Sequence, residues 1–482
     1  MRRPIGVLLP PVRADRIRRG DLYRVLRMAV LEGVLSPGDR LPSTRQAAAD
    51  YGVSRGLMEE VFQQLADEGL FQRSVGRGTF VAPEIARLER PARIKEQKPR
   101  SSSRSSRRGS AIAAQAGCRE PDILQAFNAG IADTSEFPWR VWLRLQARAA
   151  REMGPAALNF ADPRGLPHLR EAVARYLAQF RGIRCTPRQV AIFNSAQQAL
   201  SALTVLLLNR GDAVWIEDPC YLGARAAFDL AGAVTVPVTV DENGLVVETG
   251  VRRAPRARLA YVTPSHQYPT GVTLNLHRRI ELLEWAGRNN SWVVEDDYDG
   301  EFRYAGQPLA SLYSLDSGAR VFYLGTLSKS MFVSLRLAYL VLPEELLEPL
   351  ANVRTQMDGF TPALTQMTMS LFMDEGYFSS HLRRMRTVYR VKWKMLADGL
   401  VPMAVHGWTW SDNPAGMHLL VRHKRGEYVR QVARSSSLDL ALLSRYRAAR
   451  AQDDGLFLRF GALSPERLQA GVEDLAAVAM KT

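Results

Sequence analysis

From about residue 121 onward, apolar runs of strand length alternate with amphipathic helical segments, and no other feature restricts the fold of this chain so strongly. Ala213 to Glu217, Leu259 to Thr263, Trp292 to Asp296 and Val321 to Leu324 are such runs. The alternation predicts an α/β domain over residues 121–482, a mainly parallel sheet covered by helices, with ligand-binding residues gathered at the strand ends. With 482 residues, 46% of them hydrophobic, the chain has enough apolar material for a large core and at least two domains.

Residues 14–82 read differently, as a small α+β unit. Leu22, Val25, Leu26, Ala29 and Val30 recur at helical spacing behind Asp21 as N-cap, and Gly33 supplies the stop. Ser43 and Gln46 offer a capping box for a short second helix. Ser54 caps a third, whose Met58, Val61, Phe62 and Leu65 form a buried stripe, with Val53 and Met58 as a hydrophobic staple. This spacing predicts a helix-turn-helix whose last helix presents its first turn to the major groove of double-stranded DNA. Ser43, Thr44, Arg45, Ser54 and Arg55 are the candidate contacts, because hydroxyls and guanidinium forks suit phosphates and base edges. Phe71 to Val81 reads as two strands around glycines, a wing from which Arg77 would reach backbone or minor groove.

Between the two lies a connector, residues 83–120, rich in Pro, Ser and Arg, which has little to bury and is expected to be a flexible basic tether. The formal net charge is +15, and ten of those excess charges fall within residues 1–120. A polyanionic partner at that end is the natural inference. The three cysteines, Cys118, Cys185 and Cys220, are too few and too scattered for a disulfide framework or a CxxC zinc site. No metal site is expected, and a reducing cytoplasm is. Prolines and a second basic run interrupt the first residues, which argues against a signal peptide, and no apolar run is long enough to span a bilayer.

The second domain carries residues suited to one kind of chemistry. Lys329, in Gly325-Thr326-Leu327-Ser328-Lys329, follows a strand and is a candidate to form a Schiff base with pyridoxal 5'-phosphate. Such a lysine needs a carboxylate for the pyridine nitrogen, an aromatic face for the ring and donors for the phosphate. Asp296 suits the first need, with Asp297 an alternative, and Tyr298 suits the phenolic oxygen. Tyr221 would stack on the ring, and Ser195-Ala196-Gln197 opens a helix whose amides favour phosphate. Thr326, Ser328 and Arg336 would complete the cradle.

Motif by motif, the chain resembles known families. Leu35-Ser36-Pro37-Gly38-Asp39-Arg40-Leu41-Pro42-Ser43-Thr44-Arg45, Gly52-Val53-Ser54-Arg55 and Gly76-Arg77-Gly78-Thr79-Phe80-Val81 resemble the winged-helix regulators of the GntR family, except that Leu57 stands where a small polar residue is usual. Asp162 to Arg170, Pro264 to Gly271, Glu295 to Asp299 and Leu458 to Ala462 resemble fold-type I aminotransferases. The resemblance makes Tyr268 a ring-side residue, in place of the usual Asn, and Arg459 the anchor for an effector's carboxylate. Joined in one chain, these segments are similar to the MocR-type, GabR-like regulators. That likeness implies a head-to-tail homodimer whose DNA binding responds to a small amine, an amino acid or pyridoxal phosphate itself. A working aminotransferase with an attached DNA-binding domain is the rival expectation.

Overall fold

The computed structural model describes residues 18–74, 76–87, 106, 109–110, 113, 125–128, 130–159, 161–304, 310–316, 320–449 and 451–481. Two compact units divide the chain, Met1–Ser105 and Ser106–Thr482. The connector expected over 83–120 lies mostly outside the described residues, which include a short 3-10 turn at Pro83–Arg87.

In the first unit, α1 (Arg19–Leu31), α2 (Thr44–Asp50) and α3 (Arg55–Asp67) precede a hairpin of β1 (Phe71–Ser74) and β2 (Gly78–Val81). Leu22, Leu26, Met58, Val61, Phe62 and Leu65, all buried, form the centre of its core, and the Phe62 and Phe71 rings meet edge to face at 5.3 Å. Two capping expectations are corrected. The first helix starts at Arg19, so Asp21 stands in its first turn rather than before it, and its carboxylate accepts from the Arg18 N–H at 3.2 Å. Ser43 accepts from Gln46 N at 3.2 Å as a cap should, but the Gln46 amide turns along the helix to Asp50 at 2.9 Å, leaving half a capping box.

The second unit is built on an eight-stranded sheet of order β3-β10-β9-β8-β7-β4-β5-β6. Its strands are β3 (Val190–Phe193), β4 (Ala213–Asp218), β5 (Val234–Asp241), β6 (Gly244–Leu245), β7 (Leu259–Val262), β8 (Trp292–Asp297), β9 (Val321–Thr326) and β10 (Ala338–Val341). The run β9-β8-β7-β4-β5 is parallel, as the alternating pattern predicted, while β10 and β6 are antiparallel to their neighbours and make the sheet mixed. β8 is buried along its whole length, so neither of its faces meets solvent, although it ends in Glu295, Asp296 and Asp297. A second sheet, order β11-β12-β14-β13, comprises β11 (Thr409–Trp410), β12 (His418–His423), β13 (Ala441–Leu442) and β14 (Asp454–Arg459), and is antiparallel throughout.

Candidate functional site

In the first unit, Ser54 accepts from Leu57 N at 3.2 Å, which fixes the start of α3 and leaves Arg55 exposed on its first turn. Ser43 and Arg45 stand at the start of α2, with Arg45 exposed, and Arg77 is exposed in the turn of the wing. Thr44 has a structural task as well. Its hydroxyl bonds Glu59 on α3, and Arg73 from β1 binds the same carboxylate at 2.7 Å, holding it below the usual carboxylate range. Leu57, half-buried, packs on the unit's core.

In the larger unit the strand register gathers the cofactor candidates. Phe193, Ala338 and Thr326 are Cα partners across β3, β10 and β9. Consequently the helix start at Ser195, the turn with Arg336 and the segment Thr326 to Lys329 emerge at one end of the sheet. Ser195 caps the helix Ala196–Leu207, accepting from Gln198 N at 3.1 Å. The Gln197 side chain turns away to the Gly223 carbonyl at 2.9 Å, so what this segment offers an anion is its backbone amides. Thr326 accepts from Ser328 N at 3.2 Å, and Arg336, exposed, sits at φ 53° in the left-handed region.

The carboxylates of β8 separate by strand alternation. Asp297 accepts from Arg181 and Tyr323 on one face. On the other, Asp296 accepts from Tyr261 at 2.6 Å, and its second oxygen, Oδ1, is buried with no partner among the described residues. Burial pushes Asp296 up to about 7, so the site would gain from a cationic or N–H group facing that oxygen.

Around this point the rings converge. Tyr221 and Tyr298 each lie 5.6 Å from Tyr268, edge to face. Gly223 leaves room for the Tyr221 ring: a Cβ there would fall 2.5 Å from it. The turn carrying Tyr268 is tied to β4, because Glu217 accepts from Thr263 Oγ1 at 2.6 Å and from Gln267 Nε2 at 3.1 Å. Tyr298 points its hydroxyl at His266 Nδ1, 3.1 Å away, and that nitrogen also meets Asp299 at 2.9 Å. Lys329 donates to the carbonyl of Gly130, in a segment that also bonds the Arg459 N–H through the Phe127 carbonyl at 3.3 Å. Arg459 ends β14 and lines an open pocket of about 540 Å³ with Asn128, Asp439, Ser444 and Arg445.

Sequence reasoning missed two parts of this site. The strap around Phe127 and Gly130 has no helical or strand periodicity to announce it. His418 was also missed: with His266 and Asp299 it forms a buried group whose nitrogen and oxygen atoms lie within 4.8 Å of one another. Burial and the neighbouring His266, Arg459 and Lys329 push its imidazole well below the usual histidine range.

Known proteins match both units of the chain. Residues 19–81 match the family model for bacterial regulatory proteins of the gntR family, and residues 127–452 match that for aminotransferase class I and II. The probable rhizopine catabolism regulatory protein MocR of Rhizobium meliloti is 35% identical over 469 residues, 96% of this chain and 94% of that one. The pyridoxine biosynthesis transcriptional regulator PdxR of Corynebacterium glutamicum is 31% identical over 93% of each chain. Among solved structures, the α-aminoadipate aminotransferase LysN of Thermus thermophilus, complexed with N-(5'-phosphopyridoxyl)-L-leucine, superposes with a TM-score of 0.67. It is 28% identical, and the match covers 78% of this chain and 95% of that one. A winged helix-turn-helix followed by an aminotransferase class I and II fold, matched almost end to end by named regulators, places the chain in the MocR type of the gntR family, as a DNA-binding transcriptional regulator.

Proposed function

We propose that the aminotransferase-like unit holds pyridoxal 5'-phosphate on Lys329 and relays the arrival of a small amine, an amino acid or the cofactor to the DNA-binding unit. The carrying observation is the buried, unpartnered Asp296 Oδ1, which needs a donor of the kind a protonated pyridine nitrogen provides. Asp296 would bond that nitrogen. Tyr298, with Tyr221 and Tyr268, would line the ring. The amides opening the helix after Ser195, with Thr326, Ser328 and Arg336, would hold the phosphate, and Arg459 an effector's carboxylate. When bound, the cofactor supplies an electrophilic carbon that a primary amine can attack.

The regulator works as a whole chain. Its parts are a DNA-binding domain over 14–82, a basic linker over 83–120 and an effector domain over 121–482, in a cytoplasmic head-to-tail homodimer. No helix among the described residues is long and apolar enough to cross a membrane. Occupancy biases two domain arrangements only as far as the ligand prefers one of them, and a coupling of about 1–3 kcal/mol suffices for a useful response. In this reading the site senses rather than turns over. Sustained turnover with amino donors and keto acids would argue for the enzyme instead.

The test is DNA binding near the protein's own gene, with and without pyridoxal phosphate and a panel of amines. Arg45→Ala and Arg55→Ala should weaken binding without unfolding the protein. Lys329→Ala should bind DNA but ignore the panel, and borohydride reduction should mark Lys329 in the wild type alone. A label on another side chain would sink the cofactor assignment.

A further inference from the structure

A buried polar atom stands across the sheet from Arg459. His418 opens β12 and is 6% exposed, and its Nε2 has no hydrogen-bond partner among the described residues. The ring's backbone partner is the Pro269 carbonyl. With Nε2 unpartnered, Nδ1 is the nitrogen left to give its hydrogen to that carbonyl, and we assign Nε2 as the acceptor on that ground. The neighbouring His266 cannot provide one through Nδ1, which already meets Asp299 and Tyr298.

Its place in the sheet gives this acceptor a purpose. His418 and Arg459 are direct Cα partners across the antiparallel pair of β12 and β14. Directly opposed residues put their side chains on one face, with Cβ atoms roughly 5 Å apart. The imidazole is wedged between the rings of His266 at 4.7 Å and Phe457 at 4.6 Å, so it has little freedom to seek another partner. Arg459 and Lys329 are both near enough for their charges to act on it.

We propose that His418 and Arg459 form one effector subsite: the guanidinium holds a carboxylate, and Nε2 accepts from an N–H or O–H on the carbon beside that carboxylate. The ligands it favours are 2-amino and 2-hydroxy acids over acids without a donor at that carbon. This rests on the reading of Arg459 as carboxylate anchor. A site built around a buried acceptor rejects an analogue that leaves it unpaired, and therein lies the selectivity.

Calorimetry on the full-length, cofactor-loaded protein tests it with two acids that carry no amine, 2-hydroxybutanoate and butanoate. The wild type should bind the hydroxy acid about tenfold more tightly, the worth of one buried hydrogen bond. His418→Asn keeps a donor for the Pro269 carbonyl but is too short to place an acceptor where Nε2 stands, and should shrink the preference to about twofold or less. His418→Gln, which reaches further with a carbonyl oxygen, should restore part of it, and Arg459→Met should lose both acids. Thermal melts establish that each variant is folded, and His418→Phe replaces the Asn variant if that one is not. Equal wild-type affinities, or a preference that survives loss of the acceptor, would overturn the subsite. If neither acid binds the wild type, the anchor reading of Arg459 fails first and takes the subsite with it.

Discussion

Asp296 shows how a single side chain can be at odds with its own fold. Burial holds its carboxyl near 7, as it does those of Glu217, Glu295 and Glu301. Unfolded carboxyls titrate at about 4, so between the two values the folded chain keeps protons that the unfolded chain has lost. The stability these groups contribute is therefore full below about pH 4 and is lost as the pH rises through about 7. Asp296→Asn removes the charge and keeps an oxygen for Tyr261. In cofactor-stripped protein it should raise stability at about pH 8 by on the order of 1–3 kcal/mol and change little at about pH 4, read by denaturant unfolding. With pyridoxal phosphate added, the order should reverse, because Asn cannot balance a protonated ring nitrogen. A variant with the same unfolding curve as the wild type at both pH values would remove the argument that Asp296 is a stored liability.

At the level of elements, a loop can be as determined as a strand. Gly165 lies at φ +99°, and a Cβ there would come within 2.6 Å of Ile192 and 2.8 Å of the Gln366 amide oxygen. Its loop is clamped on both sides: Ile192 N donates to the Arg164 carbonyl at 2.8 Å, and Leu166 N donates to Gln366 Oε1 at 2.8 Å. Gly165→Ala should accordingly cost about 3 kcal/mol, seen as a lowered thermal midpoint of the larger unit with that of the DNA-reading unit unmoved. Elements differed in how legible they were. The parallel strands announced themselves as apolar runs, and α3 by its stripe and its cap, because those signals are local. β10 reads like any other buried strand, and only its pairing with β3 and β9 reveals that it runs the other way. The different surroundings of Asp296 and Asp297 show only in the side-chain partners on each face of β8. His418 was out of reach for a related reason: its meaning comes from standing opposite Arg459, and no periodicity links residues paired across β12 and β14.

For the whole molecule, charge and pairing should act together. Ten of the fifteen excess positive charges lie in residues 1–120, so DNA affinity should come with a steep dependence on salt. Each phosphate neutralised adds roughly 0.9 to the slope of log affinity against log salt. The DNA-reading unit has its own core, built on Leu22, Met58 and Phe62, and should fold as an isolated piece. Three chains then separate the contributions: residues 1–82, residues 1–120 and the full length. The connector's arginines should steepen the slope of the second over the first at an unchanged footprint. In the proposed homodimer two linked readers should roughly double the slope of the full chain and extend protection to two half-sites, since the second site is bound at high effective concentration. Footprinting and a salt titration on the same promoter fragment measure both. A full-length protein that protects one half-site with the slope of the 1–120 piece would mean that the readers act singly, and a ligand could then alter DNA binding only within one chain.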